Sequence, residues 1–79
     1  GKVEADPNEH QSRFDLAMAL YGAGQNEDAL RELLELFRRD RGWNGEAART
    51  QMVKIFEALG HDHPTTMKIR KELTALLFS

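Results

Sequence analysis

Two histidines flank an aspartate in His61-Asp62-His63, and this is the densest group of side chains that could bind a metal ion. The segment falls in an expected turn between helices and brings no third ligand besides the aspartate, so it gives no reason to expect zinc. Polar residues that precede a helix commonly cap its free backbone N–H groups. We therefore expect capping and solvent contacts here, and neither a metal ion nor another cofactor.

Residues that could act in catalysis are otherwise scattered. Ser12 and Ser79 have no histidine at a spacing that suggests a nucleophile with its base, and the chain contains no cysteine. Gly22 and Gly24 lie between two expected helices rather than after a strand, which argues against a phosphate-binding loop. The sequence therefore predicts a protein that is not an enzyme.

Composition narrows the class of protein further. The chain has 79 residues, 41% of them hydrophobic and 30% charged, which fits one folded globular domain. A net charge of −2 argues against a nucleic-acid binder driven by electrostatics. No apolar run approaches the roughly 20 residues of a membrane span, and no signal-peptide pattern opens the chain. We expect a cytoplasmic protein, or a fragment of one, without a nucleic-acid or membrane partner.

Apolar side chains recur at helical spacing in four segments, which predicts an all-α domain. The segments run from Asp6 to about Ala23, from about Glu27 to Asp40, from about Gly45 to Leu59, and from Pro64 to the end. The second has the clearest stripe, at Leu30, Leu33, Leu34 and Phe37. Residues 1–5 are expected to form a flexible lead, and residues 6–79 the domain.

Polar residues and glycines mark the expected helix ends. Asp6 and Glu9 around Pro7 indicate a capping box at the first helix. The expected N-caps of the later helices are Asn26, Asn44, and either Asp62 or His63; the expected terminators are Gly24, Gly42 and Gly60. Trp43, in the loop after the second helix, is expected to cover the end of a small core.

The two halves of the chain repeat one pattern. Gly24 and Gly60 lie 36 positions apart, and the same offset matches apolar positions of the first two helices with those of the last two. The pattern predicts two helical hairpins. The residues expected to be buried are Leu20, Leu33, Phe56 and Leu73; the stripe expected to pack on the third helix is Ile69, Leu73, Leu76 and Leu77.

The repeat length and the small residue Ala29, placed where the second helix would cross the first, resemble the tetratricopeptide repeat (TPR), whose period is about 34 residues. The fold class that this resemblance implies is two TPR-like hairpins, a short piece of an α-solenoid. Because solenoids usually need about three repeats for stability, an apolar flank of the first or last helix is expected to need a neighbour.

A series of short segments, taken in order, resembles one family more closely. They are residues 39–44 (RDRGWN), 47–49 (AAR), 55–60 (IFEALG), 70–73 (RKEL) and 77–79 (LFS). Over residues 6–79 the series is similar to the C-terminal TPR-like domain of the YbbN/CnoX-type thioredoxin-fold co-chaperones. The resemblance implies a co-chaperone module whose partners are unfolded client proteins and a GroEL-type chaperonin. It also implies a preceding thioredoxin-fold domain, whose own activity does not transfer to these residues.

The first helix of each TPR hairpin lines a concave surface, so the resemblance also implies candidate binding residues. They are Gln11, Phe14, Met18 and Tyr21 on the first helix, and Lys54 and Glu57 on the third. A methionine in an apolar strip adapts to varied clients. Alternatively, Phe14, Met18 and Tyr21 pack on a preceding helix, or form the interface of a homodimer in the isolated domain.

The last helix supplies two further candidates, Lys71 and Phe78. Phe78 lies one residue from the end of the sequence, and an aromatic side chain without intramolecular cover is typical of an interface. In the family that the chain resembles, the C-terminal helix engages the chaperonin. The alternative is that Phe78 folds back into the end of the core.

Two other classes of function are kept open. The domain could be a structural cap that closes a helical-repeat protein and binds nothing itself. It could also be a small nucleic-acid-binding helical domain, although the acidic isoelectric point of about 5.9 opposes that reading. The basic cluster Arg38, Arg39 and Arg41 is explained either by the dipole of the helix that it ends or by docking of an acidic partner.

Overall fold

The computed structural model describes residues 7–78, and within that range it contains four α-helices and no strand. The helices are α1 (Pro7–Gly22), α2 (Asn26–Arg39), α3 (Ala47–Leu59) and α4 (Pro64–Leu77). This architecture confirms the predicted all-α class with four helices. The expected flexible lead and the expected cap at Asp6 lie outside the described residues.

The second helix is the centre of the fold, because its backbone closely approaches those of α1, α3 and α4. Its buried residues are Ala29, Leu30, Leu33, Leu34, Leu36 and Phe37. Leu36 lies off the stripe expected from the sequence, so the buried arc of α2 is wider than a single face. A helix that is apolar over so wide an arc needs neighbours on more than one side, and α2 has three.

Small residues lie at the most extensive contact between two helices. This contact joins α1 and α2, and Ala17 on α1 and Ala29 on α2 are both fully buried. The side chains of alanines leave little volume between two helix axes, so the helices can approach. This agrees with the place expected for Ala29 in a TPR-like hairpin.

Three of the four residues expected in the core, Leu33, Phe56 and Leu73, are buried, and the fourth, Leu20, is half-buried. In the stripe expected on the inner side of α4, Leu77 is instead 41% exposed. Leu20 and Leu77 each lie in the last turn of a helix, where fewer neighbouring side chains are within reach. The backbone of α4 contacts that of α2 more extensively than that of α3, and the buried Ile69 and Leu73 belong to one core cluster with residues of both helices.

Several predicted caps are displaced by one or two residues. Gln25, rather than Asn26, is the N-cap of α2, and its side chain makes no capping hydrogen bond. Asp40 ends the same helix in an extended conformation, so the chain leaves the helix before Gly42. The polar residues and glycines in the sequence predicted that a helix starts or ends near these positions. The exact residue depends on local backbone geometry.

The α2–α3 loop contains three consecutive residues with left-handed backbone: Asn44 (φ 50°), Gly45 (φ 63°) and Glu46 (φ 64°). Glu46, not Asn44, is the N-cap, and α3 begins at Ala47 instead of Gly45. A left-handed conformation is unfavourable for a residue such as glutamate, whereas asparagine and glycine tolerate it. The loop therefore turns within a short stretch at some cost in backbone strain.

Other end signals are confirmed. Gly24 has φ 84° after α1, and Gly60 has φ 103° as the C-cap of α3. His63 caps α4, since its Nδ1 atom accepts a hydrogen bond from the Thr65 backbone N–H at 3.1 Å. Pro64 follows as the first helical residue, as its fixed φ favours.

Trp43 covers one end of the core, as expected. Its half-buried ring lies 5.7 Å from the Phe14 ring and packs edge-on against His10 at 6.2 Å, measured between ring centroids. His10 is itself buried, with its Nε2 atom 3.6 Å from an Asp40 carboxylate oxygen. The start of α1, the end of α2 and the following loop thus meet around one indole.

No helix among residues 7–78 combines the length and the apolar character that a membrane span requires.

Truncating a central side chain should destabilise the domain strongly. We expect Phe56→Ala to lower the free energy of unfolding by about 3–5 kcal/mol, since Phe56 is 3% exposed and its removal leaves a cavity. The matched control is Val53→Ala on the same helix, where the side chain is 38% exposed and the expected change is within about 0.5 kcal/mol. Urea unfolding followed by circular dichroism measures both, and equal effects of the two substitutions would contradict the assigned core.

Candidate protein-interaction surface

The predicted binding residues on α1 are not fully open to solvent. Phe14, Met18 and Tyr21 are half-buried and pack against the core cluster, while Gln11 is exposed and its Nε2 atom donates a hydrogen bond to Asp15 at 2.8 Å. As candidate binding residues, the three apolar side chains are therefore only partly accessible. Trp43 and the core occupy part of their surface, so any partner on this face would contact only their outer edges.

The predicted residues on the later helices are exposed. Lys54 and Glu57 lie on the solvent side of α3, and Lys71 on that of α4. Phe78, the C-cap of α4, is 84% exposed, so it does not fold back into the core. The structure thus separates the predicted site residues into a half-buried group on α1 and exposed groups on α3 and α4.

Exposed apolar side chains concentrate on the last helix. Of the five large hydrophobic residues that are exposed in the described part of the chain, three belong to α4 or its cap: Met67 (59%), Leu77 (41%) and Phe78 (84%). Met67 is not among the predicted binding residues, and Leu77 was expected on the buried side. The spacing of Met67 and Phe78 could have indicated this face from the sequence. The two residues are eleven positions apart and therefore lie on the same side of a helix.

This exposed face has a regular composition. We call Met67, Lys71, Thr74 and Phe78 the α4 strip; they follow one another at intervals of four, three and four residues, and all are exposed. The buried residues Thr66, Ile69 and Leu73 lie on the opposite side of the helix. One side of α4 therefore anchors the helix, and the other presents two apolar residues about 16 Å apart along the axis.

A chain of ion pairs holds α4 against α2. The Lys68 Nζ atom lies 3.0 Å from a Glu27 carboxylate oxygen, and the Arg31 Nε atom lies 3.3 Å from the same oxygen. Arg31 also reaches Glu72 at 3.5 Å, so positive and negative groups alternate across the two helices. The hydrogen bond from Lys68, together with its charge and with Arg31, holds the pKa of the Glu27 carboxyl below its ordinary value.

The basic cluster at the end of α2 is largely engaged within the chain. The Arg38 and Arg39 guanidinium groups lie 2.5 and 2.6 Å from one Glu35 oxygen, and the hydrogen bond from Arg38 is the main reason why the pKa of Glu35 is lowered. Arg41 donates to the Leu76 backbone carbonyl and lies over the Phe37 ring at 5.5 Å. The arginine cluster therefore stabilises the ends of α2 and α4.

A groove of about 630 Å³ runs between α2 and α4. Its lining combines apolar residues (Leu34, Ala75 and Leu76) with charged ones (Arg31, Glu35, Arg38 and Glu72). Ala75 lies one turn beyond Lys71, so the groove borders the α4 strip directly. An apolar floor between charged walls can take a large hydrophobic side chain from a partner.

The histidine-containing turn does not form a metal site in the structure. His63 is used as the cap of α4, and nowhere in residues 7–78 do three His, Cys, Asp or Glu side chains converge as metal ligands would.

Comparison with known proteins defines the class. The family model of the tetratricopeptide repeat matches residues 1–78, so the chain belongs to the tetratricopeptide repeat family. Members of this family typically act as non-catalytic modules that bind other proteins.

One relative informs on the length of a related protein but not on function. The chain is 36% identical over 63 residues to an uncharacterized protein of Haemophilus influenzae. The match covers 80% of this chain but only 29% of that protein, so the chain spans less than a third of the relative's length. No solved structure matches the chain.

The ion pairs of Glu27 should make stability depend on pH in a defined direction. Because the folded state lowers the pKa of Glu27 from 4.5, its contribution is present above that pH and is lost as the pH falls through the lower folded-state value. We expect Glu27→Gln to lower the melting temperature slightly at about pH 7, with a difference that shrinks as the pH falls below 4.5.

The matched control for this substitution is Glu57→Gln on the exposed side of α3, where no ion pair is present among the described residues. Melting temperatures of both variants and the parent, measured from pH 7 down to pH 3, test the assignment. A Glu27→Gln difference that grows on acidification would contradict it.

Proposed function

We propose that this domain is a protein-docking module whose main contact surface is the α4 strip. The observation that carries the proposal is that three of the five exposed large hydrophobic residues lie on α4 and its cap, with Phe78 84% exposed. Aromatic and methionine side chains without intramolecular cover are typical anchors of protein interfaces. The family supports the general class, since tetratricopeptide repeats bind proteins.

The more specific role that we propose is that of a co-chaperone module. The resemblance to the YbbN/CnoX type suggests a GroEL-type chaperonin as the partner of the α4 strip, which would place the protein in the cytoplasm. Phe78 supports such docking because it lies beyond the last turn of α4, where a large partner can approach without meeting another helix of the described chain.

Holding of unfolded clients is a separate part of the proposal. It would use the α1 face, where Phe14, Met18 and Tyr21 keep part of their surface in contact with solvent beside the exposed Gln11. Lys54 and Glu57 on α3 would extend this face with polar contacts. The half-buried state of the three apolar residues limits the area that a client could cover.

A structural cap is the second candidate, and one observation favours it. Leu16 is 48% exposed on α1, and Ala19 and Ala23 are exposed further along the same side. Such a stripe of apolar and small residues can pack against another helix, as adjacent hairpins of a solenoid do. This role is compatible with docking through α4, because the two surfaces belong to different helices.

Removing the exposed aromatic residue should abolish docking without unfolding the domain. We expect Phe78→Ser, and deletion of Leu77 to Ser79, to weaken binding of a purified GroEL-type chaperonin by at least about tenfold, as truncation of an interface anchor does. Melting temperature should change little for Phe78→Ser, because the side chain has few contacts to lose.

Leu16→Ser is the matched control, since it removes an exposed apolar side chain from α1. Surface plasmon resonance with immobilised chaperonin measures all variants against the parent domain. If the parent does not bind, or if Phe78→Ser binds as tightly as the parent, chaperonin docking through α4 is excluded. If Leu16→Ser weakens binding equally, the effect is not specific to α4.

A further inference from the structure

The exposed side of α4 carries two positive charges that the fold does not use. Arg70 and Lys71 are exposed, and neither has a carboxylate partner among the described residues. The other charged residues of α4, Lys68 and Glu72, are committed to ion pairs with Glu27 and Arg31 of α2. In a chain whose net charge is −2, this helix face is therefore locally positive.

These charges lie among apolar contact points. Lys71 is in the middle of the α4 strip, between Met67 and Phe78, and Arg70 lies on the flank away from the groove, one turn before Thr74. On the other flank, Ala75 opens into the groove over Leu34 and Leu76. A ligand that matches this surface needs an apolar stripe for the groove and for Phe78, with negative charges beside it.

We propose that the α4 strip and the adjoining α2–α4 groove bind an acidic amphipathic helix of a partner protein. This inference rests on the proposed docking function and names the chemistry of the partner segment. Apolar side chains of that helix occupy the groove and contact Met67 and Phe78, and its carboxylates pair with Lys71 and Arg70. Docking of an amphipathic helix into an apolar groove is a common mode of peptide recognition.

Charge argues against a second copy of this domain as the occupant. Two α4 helices that pack face to face would bring Arg70 and Lys71 of one copy near the same residues of the other, and like charges at an interface disfavour pairing. The single acidic side chain of α4 cannot offset this repulsion, because Glu72 is already paired with Arg31. An acidic partner instead supplies the missing counter-charges.

The test uses two synthetic peptides of about 18 residues that share one leucine stripe and helix-favouring alanines. One carries glutamates beside the stripe, and the other carries lysines at the same positions. Amide chemical shifts of the isotopically labelled domain locate and quantify binding. We expect the acidic peptide to shift amides of residues 67–78 and of the facing part of α2, and to bind more weakly as salt rises. The basic peptide should bind at least about fivefold more weakly.

Charge reversal makes the test specific. Arg70→Glu combined with Lys71→Glu should reverse the preference between the two peptides, whereas Lys54→Glu, which reverses an exposed cation on α3, should leave it unchanged. A second double variant, Arg70→Gln with Lys71→Gln, should reduce the preference without reversing it. Equal binding of the two peptides, binding of neither, or shifts confined to α1 and α3 would overturn the inference.

The experiments distinguish a failure of the acidic-helix inference from a failure of the proposed chaperonin docking. Suppose that the chaperonin binds the parent domain, binds Phe78→Ser more weakly, and binds both double variants as tightly as the parent. In that case the docking function stands and the acidic-helix inference fails. If the chaperonin does not bind but the acidic peptide does so through Lys71 and Arg70, the inference stands and the chaperonin role fails.

Discussion

The burial of α2 is the constraint on which the rest of this domain depends. Six of its 14 residues are buried, and Leu30, Leu33 and Leu36 are fully removed from solvent. No single neighbour can cover an apolar surface that wraps so far around a helix, so α1, α3 and α4 must all pack on it. The positions of the other three helices, and thus the surfaces that they expose, follow from this requirement.

The same arrangement gives α4 one buried and one exposed side. Thr66, Ile69 and Leu73 are buried, and the ion pairs through Lys68 and Glu72 hold the helix beside α2. Ion pairs on a protein surface contribute little stability, so their larger effect is to neutralise these charges within the chain. The opposite side exposes Met67, Lys71 and Phe78, which is why we propose it as the binding surface.

A docking surface requires less positional precision from the fold than an enzyme active site does. A catalytic group must be held within a fraction of an ångström, whereas a docking strip needs exposed anchors on a rigid element and a polar surround. The exposed aromatic Phe78, the neighbouring groove, and Arg70 and Lys71, which have no carboxylate partner within residues 7–78, meet those needs.

The sequence by itself determined the fold class, the four helices and most of the core, because helical periodicity and the positions of Gly24, Gly60 and Pro64 are local properties of the chain. It also indicated Lys71 and Phe78 as candidate binding residues, but it left open whether Phe78 folds back into the core. Tertiary structure alone decided how far each apolar residue is covered. Phe14, Met18 and Tyr21 share a stripe that looked available for binding, but the core and Trp43 take up part of it. Leu77 belongs to a stripe that looked buried, yet no described helix covers the last turn of α4. Periodicity specifies which side chains share a face, whereas only the packing of distant segments specifies which face remains free.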